Sequence, residues 1–252
     1  MHLDREQLLE FGRNGYLVVR EVVPRNTIDA AMRAIDDLIA KNRPPDDTRG
    51  PFFYWRNGDE LGVFESALLE TPAFSIAQSL VLPLRLQKPV QAQISLNIPP
   101  FNHRPGGPHI DGFNGGERDA VPGTFTMLAG IFLTDESRTN TGNLWVWPGS
   151  HLILQNQVRE RGTDAFLASK GYPPIELPEP RVVLGNPGDL LLSHYMLGHN
   201  IGGNMSSIIR RMVYYRLRCE GHRERWSECV TDALLEYEPV RRAMELADLH
   251  CG

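Results

Sequence analysis

Two residues inside PGGPHIDGFNGG, residues 105–116, have the types to hold a metal ion: His109 and Asp111. They stand two positions apart among five glycines. In extended backbone, positions i and i+2 face one side, so an imidazole and a carboxylate there reach the same small object. The glycines let backbone approach it closely. Taken alone, twelve such residues read more readily as a strand end with two solvated side chains. A mononuclear non-haem iron site needs two histidines and one carboxylate on one face, with open positions opposite. His109 and Asp111 are the close pair, so the second histidine must come from a strand distant in sequence. NPGDLLLSHYMLGHNIGGN, residues 186–204, offers His194 and His199. Their separation of five is odd, so on a regular strand they face opposite sides and cannot both serve. His194 continues the strand and reads as a buried, hydrogen-bonded histidine. His199 lies just beyond it, before the flexible IGGN. Eleven residues past His199, Arg210 opens RRMVYYRLR, where a guanidinium can grip a carboxylate in a bidentate pair. Alternation groups Arg210 with Met212, Tyr214 and Arg216, and Arg211 with the more apolar Val213, Tyr215 and Leu217. A core-facing argument alone therefore favours Arg211, and the eleven-residue spacing favours Arg210.

The elements that must position these residues follow from pattern. LDREQLLEFGRNG reads as a helix capped by Asp4, and RNTIDAAMRAIDDLIAKN as one with a polar start at Asn26 and Thr27. Ile28, Met32, Ile35, Leu38 and Ile39 recur there at helical spacing. TPAFSIAQSLV is a third, short helix with Pro72 in its first turn. TDALLEYEPVRRAMELADL is a C-terminal helix broken or kinked at Pro239. The middle reads as strands. VQAQISLNI puts Val90, Ala92, Ile94, Leu96 and Ile98 on one face and Gln91, Gln93, Ser95 and Asn97 on the other. TFTMLAGIFLTD, NLWVWPGS, RVVLGN, GDLLLSHYM and RRMVYYRLR follow, separated by turn residues. Residues 124–218 offer little helical pattern, which argues against a parallel α/β fold. The expectation is a mainly β chain with flanking helices: a double-stranded β-helix (jelly roll, cupin-like) in one domain over residues 1–252, its core at about 83–218.

Composition narrows the function classes. The 252 residues carry a net charge of -5, which argues against a general nucleic-acid binder. Three cysteines, Cys219, Cys229 and Cys251, form neither a disulfide framework nor a metal knuckle, which points to a reducing compartment. The charged start lacks a signal-peptide core, and no apolar run approaches the ~20 residues that span a bilayer. A cytoplasmic protein away from membranes, acting on a small molecule, is expected; oligomeric state is not readable.

In order, the H-x-D pair, a long gap, then His199 and Arg210 resemble the phytanoyl-CoA dioxygenase family of iron(II)- and 2-oxoglutarate-dependent oxygenases. FLTDESRTNTGNLWVWPGSH resembles that family's stretch ending in P-G-S-H. NPGDLLLSHYMLGHNIGGN resembles its P-G-D segment, metal histidine and following asparagine, here Asn204. FGRNGYLVVREVVP resembles its opening helix and strand, so the likeness runs from about Phe11 to Arg218. The resemblance implies iron(II) at His109, Asp111 and His199, and Arg210 on the distal carboxylate of the cosubstrate 2-oxoglutarate. It also implies help from one of Gln91 and Gln93, without choosing between them. The chemistry implied is oxidation of an unactivated carbon of a small metabolite by dioxygen, with release of succinate and carbon dioxide. Asp111 favours hydroxylation over halogenation, since a halogenating relative would carry a small residue there.

Two rival readings are a cupin-like metal enzyme without a cosubstrate, which has no need of Arg210, and a non-catalytic jelly-roll binding module. Trp145 and Trp147 read as core or pocket wall, and His151 as structural or surface. NRPPDDTRGPFFYWRNGDELG, residues 42–62, reads as a long loop whose aromatics Phe52 to Trp55 form a structural flap or a lid. In the lid reading Trp55 and Arg56 contact the substrate, and residues 112–116 form the facing wall.

Overall fold

The computed structural model describes residues 2–111, 123–168 and 173–249. Its centre is an antiparallel sheet of six strands, in the spatial order β1, β7, β4, β9, β3, β2. These are β1 (Tyr16–Val19), β2 (Gly50–Asn57), β3 (Gln91–Ile98), β4 (Met127–Phe132), β7 (Leu190–His194) and β9 (Arg210–Leu217). A smaller sheet, ordered β6, β5, β8, faces it, formed by β5 (Leu144–Val146), β6 (Arg181–Val182) and β8 (His199–Ile201). This is the jelly roll expected from the strand pattern.

The large sheet is covered on both faces, which explains the unbroken apolar run of β4. One face packs Ala92, Ile94, Leu96, Val213 and Tyr215 against helices α2 (Arg25–Lys41), α3 (Val63–Leu69) and α4 (Pro72–Ser79). The other meets the small sheet through Leu128, Leu144, Val146, Met212 and Tyr214. The alternation of β9 therefore separates two buried environments rather than core from solvent. Arg211 belongs to the helix-covered face, where it pairs with Asp36 of α2 at 2.8 Å. Arg210 points between the sheets.

Several elements depart from the sequence expectations. Helix α1 (Arg5–Asn14) has the expected cap, with Asp4 and Gln7 forming a reciprocal capping box. Helix α2 instead begins after Pro24, and no side chain caps it. Pro239 does not kink a long helix; it lies in the first turn of α8 (Glu238–Asp248), after the separate α7 (Trp226–Thr231). Within 124–218 stand two helices, α5 (Ser150–Arg161) and α6 (Thr163–Ala168). The buried stripe of α5 is Ser150, His151, Leu154, Gln155 and Val158. It has helical spacing but is mostly polar, so hydrophobic periodicity does not detect it. His151 is fully buried, its Nε2 3.2 Å from the Gly12 carbonyl oxygen.

Residues 42–62 are not a long loop. Strand β2 pairs with β3 along its whole length, from Gly50 opposite Ile98 to Asn57 opposite Gln91. Phe52 and Tyr54 join the helix-side core, while Pro51, Phe53 and Trp55 occupy the other face. Residues 112–116, expected as a facing wall, lie outside the described residues, as does Cys251. Cys219 and Cys229 are buried free thiols. Among the described residues no helix is long and apolar enough to cross a membrane.

Candidate active site

His109 and His199 come together through main chain. Each N–H donates to the other's carbonyl oxygen at 3.0 Å, making one antiparallel bridge. Directly opposed residues of such a pair project to the same side, and the two rings lie 4.5 Å apart. His199 also opens β8, opposite Val146 of β5, so the small sheet fixes its backbone from the other edge. The chain reaches it from His194, the last residue of β7, by crossing from one sheet to the other. That crossing, rather than strand parity, is why the two histidines part company. His194 is buried, with Nδ1 accepting from the Met196 N–H at 2.9 Å and Nε2 donating to the Ala233 carbonyl at 2.8 Å.

Asp111 Oδ1 lies 4.0 Å from Nε2 of both His109 and His199. These separations are too long for direct hydrogen bonds. They suit an ion held by bonds of about 2.0–2.2 Å, and all three donor atoms lie within 4.8 Å of one another. His199 Nδ1 is 3.0 Å from the Leu197 carbonyl; donating there leaves Nε2 with a free lone pair aimed at the group. Burial, reinforced by the neighbouring His199, pushes His109 down to about 4. Burial acts to raise the Asp111 carboxyl, but His199, Arg216 and His109 together hold it below its ordinary value. Neutral imidazole and ionised carboxylate are the forms that ligate. The donor set therefore fits a divalent first-row metal with open positions.

Arg210, fully buried at the start of β9, faces the same cavity of about 280 Å³. Its Nη1 donates to Ser95 Oγ at 3.0 Å and its Nη2 to Tyr214 Oη at 2.7 Å. Its Nε lies 3.1 Å from Glu136 Oε1. Burial pushes the Glu136 carboxyl up, and Arg210 opposes that shift. Asn204 sets the entry into β9, donating to the Asn97 carbonyl at 2.7 Å and the Ile208 carbonyl at 3.0 Å while its own oxygen accepts from Ser206. Gly142, at φ +90°, passes so close that an added Cβ would stand 2.8 Å from Cβ of Arg210.

The remaining expected residues divide. Gln93 lines the cavity, whereas Gln91 donates to Asn57 at the end of the sheet, 2.7 Å away. Trp55, 39% exposed, lies beside the site with the Arg216 guanidinium 5.1 Å from its ring centroid. The structure does not place Arg56 among the residues lining the cavity. Successive strand residues face opposite sides, and Arg56 reaches back to the Trp55 carbonyl and to Glu60. Sequence reasoning missed Ser95, Glu136, Tyr214 and Arg216. Arg216 Nη2 holds Asp111 Oδ2 at 2.6 Å. Parity offered a signal for three of these, since Ser95 shares a face with Gln93, and Tyr214 and Arg216 share one with Arg210. Glu136, in the turn after β4, offered none.

Solved structures share this fold. The 2-oxoglutarate-dependent non-haem carbocyclase SnoK of nogalamycin biosynthesis is 20% identical, with a TM-score of 0.62 over 85% of this chain and 83% of its own. HygX from Streptomyces hygroscopicus, solved with nickel and 2-oxoglutarate, is 18% identical with a TM-score of 0.59 over 85% and 86%. EctD from S. alaskensis, solved with 2-oxoglutarate and 5-hydroxyectoine, is 19% identical with a TM-score of 0.58 over 86% and 76%. No curated protein matches the sequence. The phytanoyl-CoA dioxygenase family model matches residues 11–212, and the chain belongs to that family, whose cofactors are iron(II), 2-oxoglutarate and dioxygen.

Proposed function

We propose that this protein is an iron(II)- and 2-oxoglutarate-dependent dioxygenase that hydroxylates an unactivated carbon of a small-molecule metabolite. The observation that carries the reading is the convergence of His109, Asp111 and His199 on one cavity that also holds the buried Arg210. In this reading the two imidazoles and the Asp111 carboxylate hold iron, and Arg210 holds the distal carboxylate of 2-oxoglutarate. Iron, cosubstrate and dioxygen together supply an oxidant able to attack a C–H bond, with succinate and carbon dioxide released.

The chain's own part is placement. Ser95 and Tyr214 take two directions of the Arg210 fork, and the buried Glu136 balances its charge. Gln93 offers an amide to the cosubstrate, while Phe53 and Leu144 line the same space. Trp55 stands near the mouth as a substrate contact. The Arg210 cluster favours an oxygenase over a cupin-like enzyme without cosubstrate, which would have no use for a buried cation there. The test is succinate release from 2-oxoglutarate under iron(II), screened against panels of small metabolites. One class of compound is expected to stimulate turnover, and His109→Ala or Asp111→Ala to abolish it together with iron binding. Full activity in either variant would remove the reading.

A further inference from the structure

Asp111 makes a contact that holding a metal does not require. Arg216 Nη2 lies 2.6 Å from Oδ2, while Oδ1 faces the two imidazoles. The guanidinium is itself fixed, 5.1 Å from the Trp55 ring centroid and 5.8 Å from that of Phe125. Both rings offer it a cation–π contact. With one carboxylate oxygen committed to a charge-assisted bond, the other is the one presented to the site.

A carboxylate gives a metal one oxygen or two. A six-coordinate ion bound by two imidazoles and one carboxylate oxygen keeps three open positions, and a chelating carboxylate leaves two. The cosubstrate's keto oxygen and adjacent carboxylate require two, so the position for dioxygen depends on how Asp111 binds. We propose that Arg216 is a positioning residue that keeps Asp111 a one-oxygen ligand and so preserves the third open position. This rests on the iron and 2-oxoglutarate reading of the site. A guanidinium next to a dication opposes metal binding by like-charge repulsion, so metal affinity does not account for an arginine at this point. The two roles it could have leave opposite signatures. Loss of a mere brace weakens metal binding, whereas loss of a limit on chelation leaves it equal or tighter.

Arg216→Gln removes the charge and the reach. Cobalt(II) calorimetry on wild type and variant gives the metal affinity. Nitric oxide, titrated without oxygen into protein loaded with iron(II) and 2-oxoglutarate and read by electron paramagnetic resonance, reports the dioxygen position without turnover. The expected result is equal or tighter cobalt binding with nitric oxide affinity at least about 10-fold lower, in the range that a ligand's supporting contacts command. Unchanged nitric oxide affinity overturns the proposal. So does loss of cobalt binding, which would make Arg216 a brace. Arg216→Met, whose side chain still packs between the two rings, carries the same comparison if the glutamine chain does not fold. A wild-type protein that binds cobalt but shows no 2-oxoglutarate-dependent change on nitric oxide addition overturns the cosubstrate reading and this proposal together. Failure in the variant alone overturns only the role of Arg216.

Discussion

His194 closes β7 at the point where the chain leaves the large sheet to deliver His199, and its protonation should set the acid stability of that crossing. Both ring nitrogens are committed with a single proton: Nε2 donates to the Ala233 carbonyl, and Nδ1 accepts from the Met196 N–H. A second proton would set one donor against another. Burial, the largest influence, pushes His194 down to about 4 from its ordinary 6.5, and the Ala233 carbonyl and Glu236 only partly offset it. A base whose folded value is depressed binds its proton more readily when unfolded, so stability is complete above about 6.5 and is lost as pH falls toward 4. At about 1.4 kcal/mol per unit, the full loss is about 3 kcal/mol, of which about 2 falls between pH 7 and pH 5. His194→Gln lowers stability at pH 7, because Nδ1 no longer serves Met196, but it removes this titration. Urea unfolding of metal-free protein at the two pH values should show the wild type losing about 2 kcal/mol more than the variant does. Equal losses in both chains would refute the neutral, committed ring and the argument built on it.

Three further outcomes follow from particular contacts. In Arg210→Met/Glu136→Gln, which leaves no lone buried carboxylate, 2-oxoglutarate binding should weaken by about 2–5 kcal/mol by calorimetry, while Arg211→Ala, which breaks the Asp36 pair and the contact with Met32 on the helix-covered face, should leave it unchanged. Gly130 of β4 lies against Tyr214, and an added Cβ would stand 2.7 Å from that ring and 3.0 Å from Met212 Cε. Gly130→Ala should therefore cost about 1–3 kcal/mol of stability and raise the KM for 2-oxoglutarate more than that for iron, because Tyr214 steadies Arg210. Asp4→Ala dissolves the α1 capping box and should cost about 0.5–2 kcal/mol in chemical denaturation without changing turnover.

What could be read from the sequence was whatever one periodicity controls. Strand β3 shows its two faces because Ala92, Ile94 and Leu96 meet helices while Gln93 and Ser95 meet the cavity, an apolar and a polar environment. Strand β2 hides its alternation because both of its faces are aromatic: Phe52 and Tyr54 turn to the core, Phe53 and Trp55 to the site side. Four aromatics in a row between Pro-rich and Gly-rich flanks then pass for a loop, and only the ladder to β3 shows otherwise. Helix α5 fails for the converse reason, since its buried stripe contains Ser150, His151 and Gln155. These polar side chains are buried because they serve partners elsewhere, such as the Gly198 N–H that Ser150 Oγ accepts and the Ala233 N–H that Gln155 accepts.

The candidate metal donors and their supports differ in the same way. His109 and Asp111 are a local pair, and His199 joins them through a main-chain bridge that constrains sequence little beyond the donor types themselves. Residue type and spacing made them candidates, and the family resemblance singled out the set. Arg216 and Glu136 act across 105 and 74 positions, and nothing in their own neighbourhoods announces a partner. Yet parity on β9 already placed Arg216 on the face of Arg210, six positions along. Once Arg210 is taken to face the cavity, a second cation on that face and in the same ladder must also lie near the ligand set. A partly buried cation gains from an anion beside it, and Asp111 is the carboxylate it finds. The support for a metal ligand can thus be read from a strand that carries no ligand, provided one residue of that strand is anchored first.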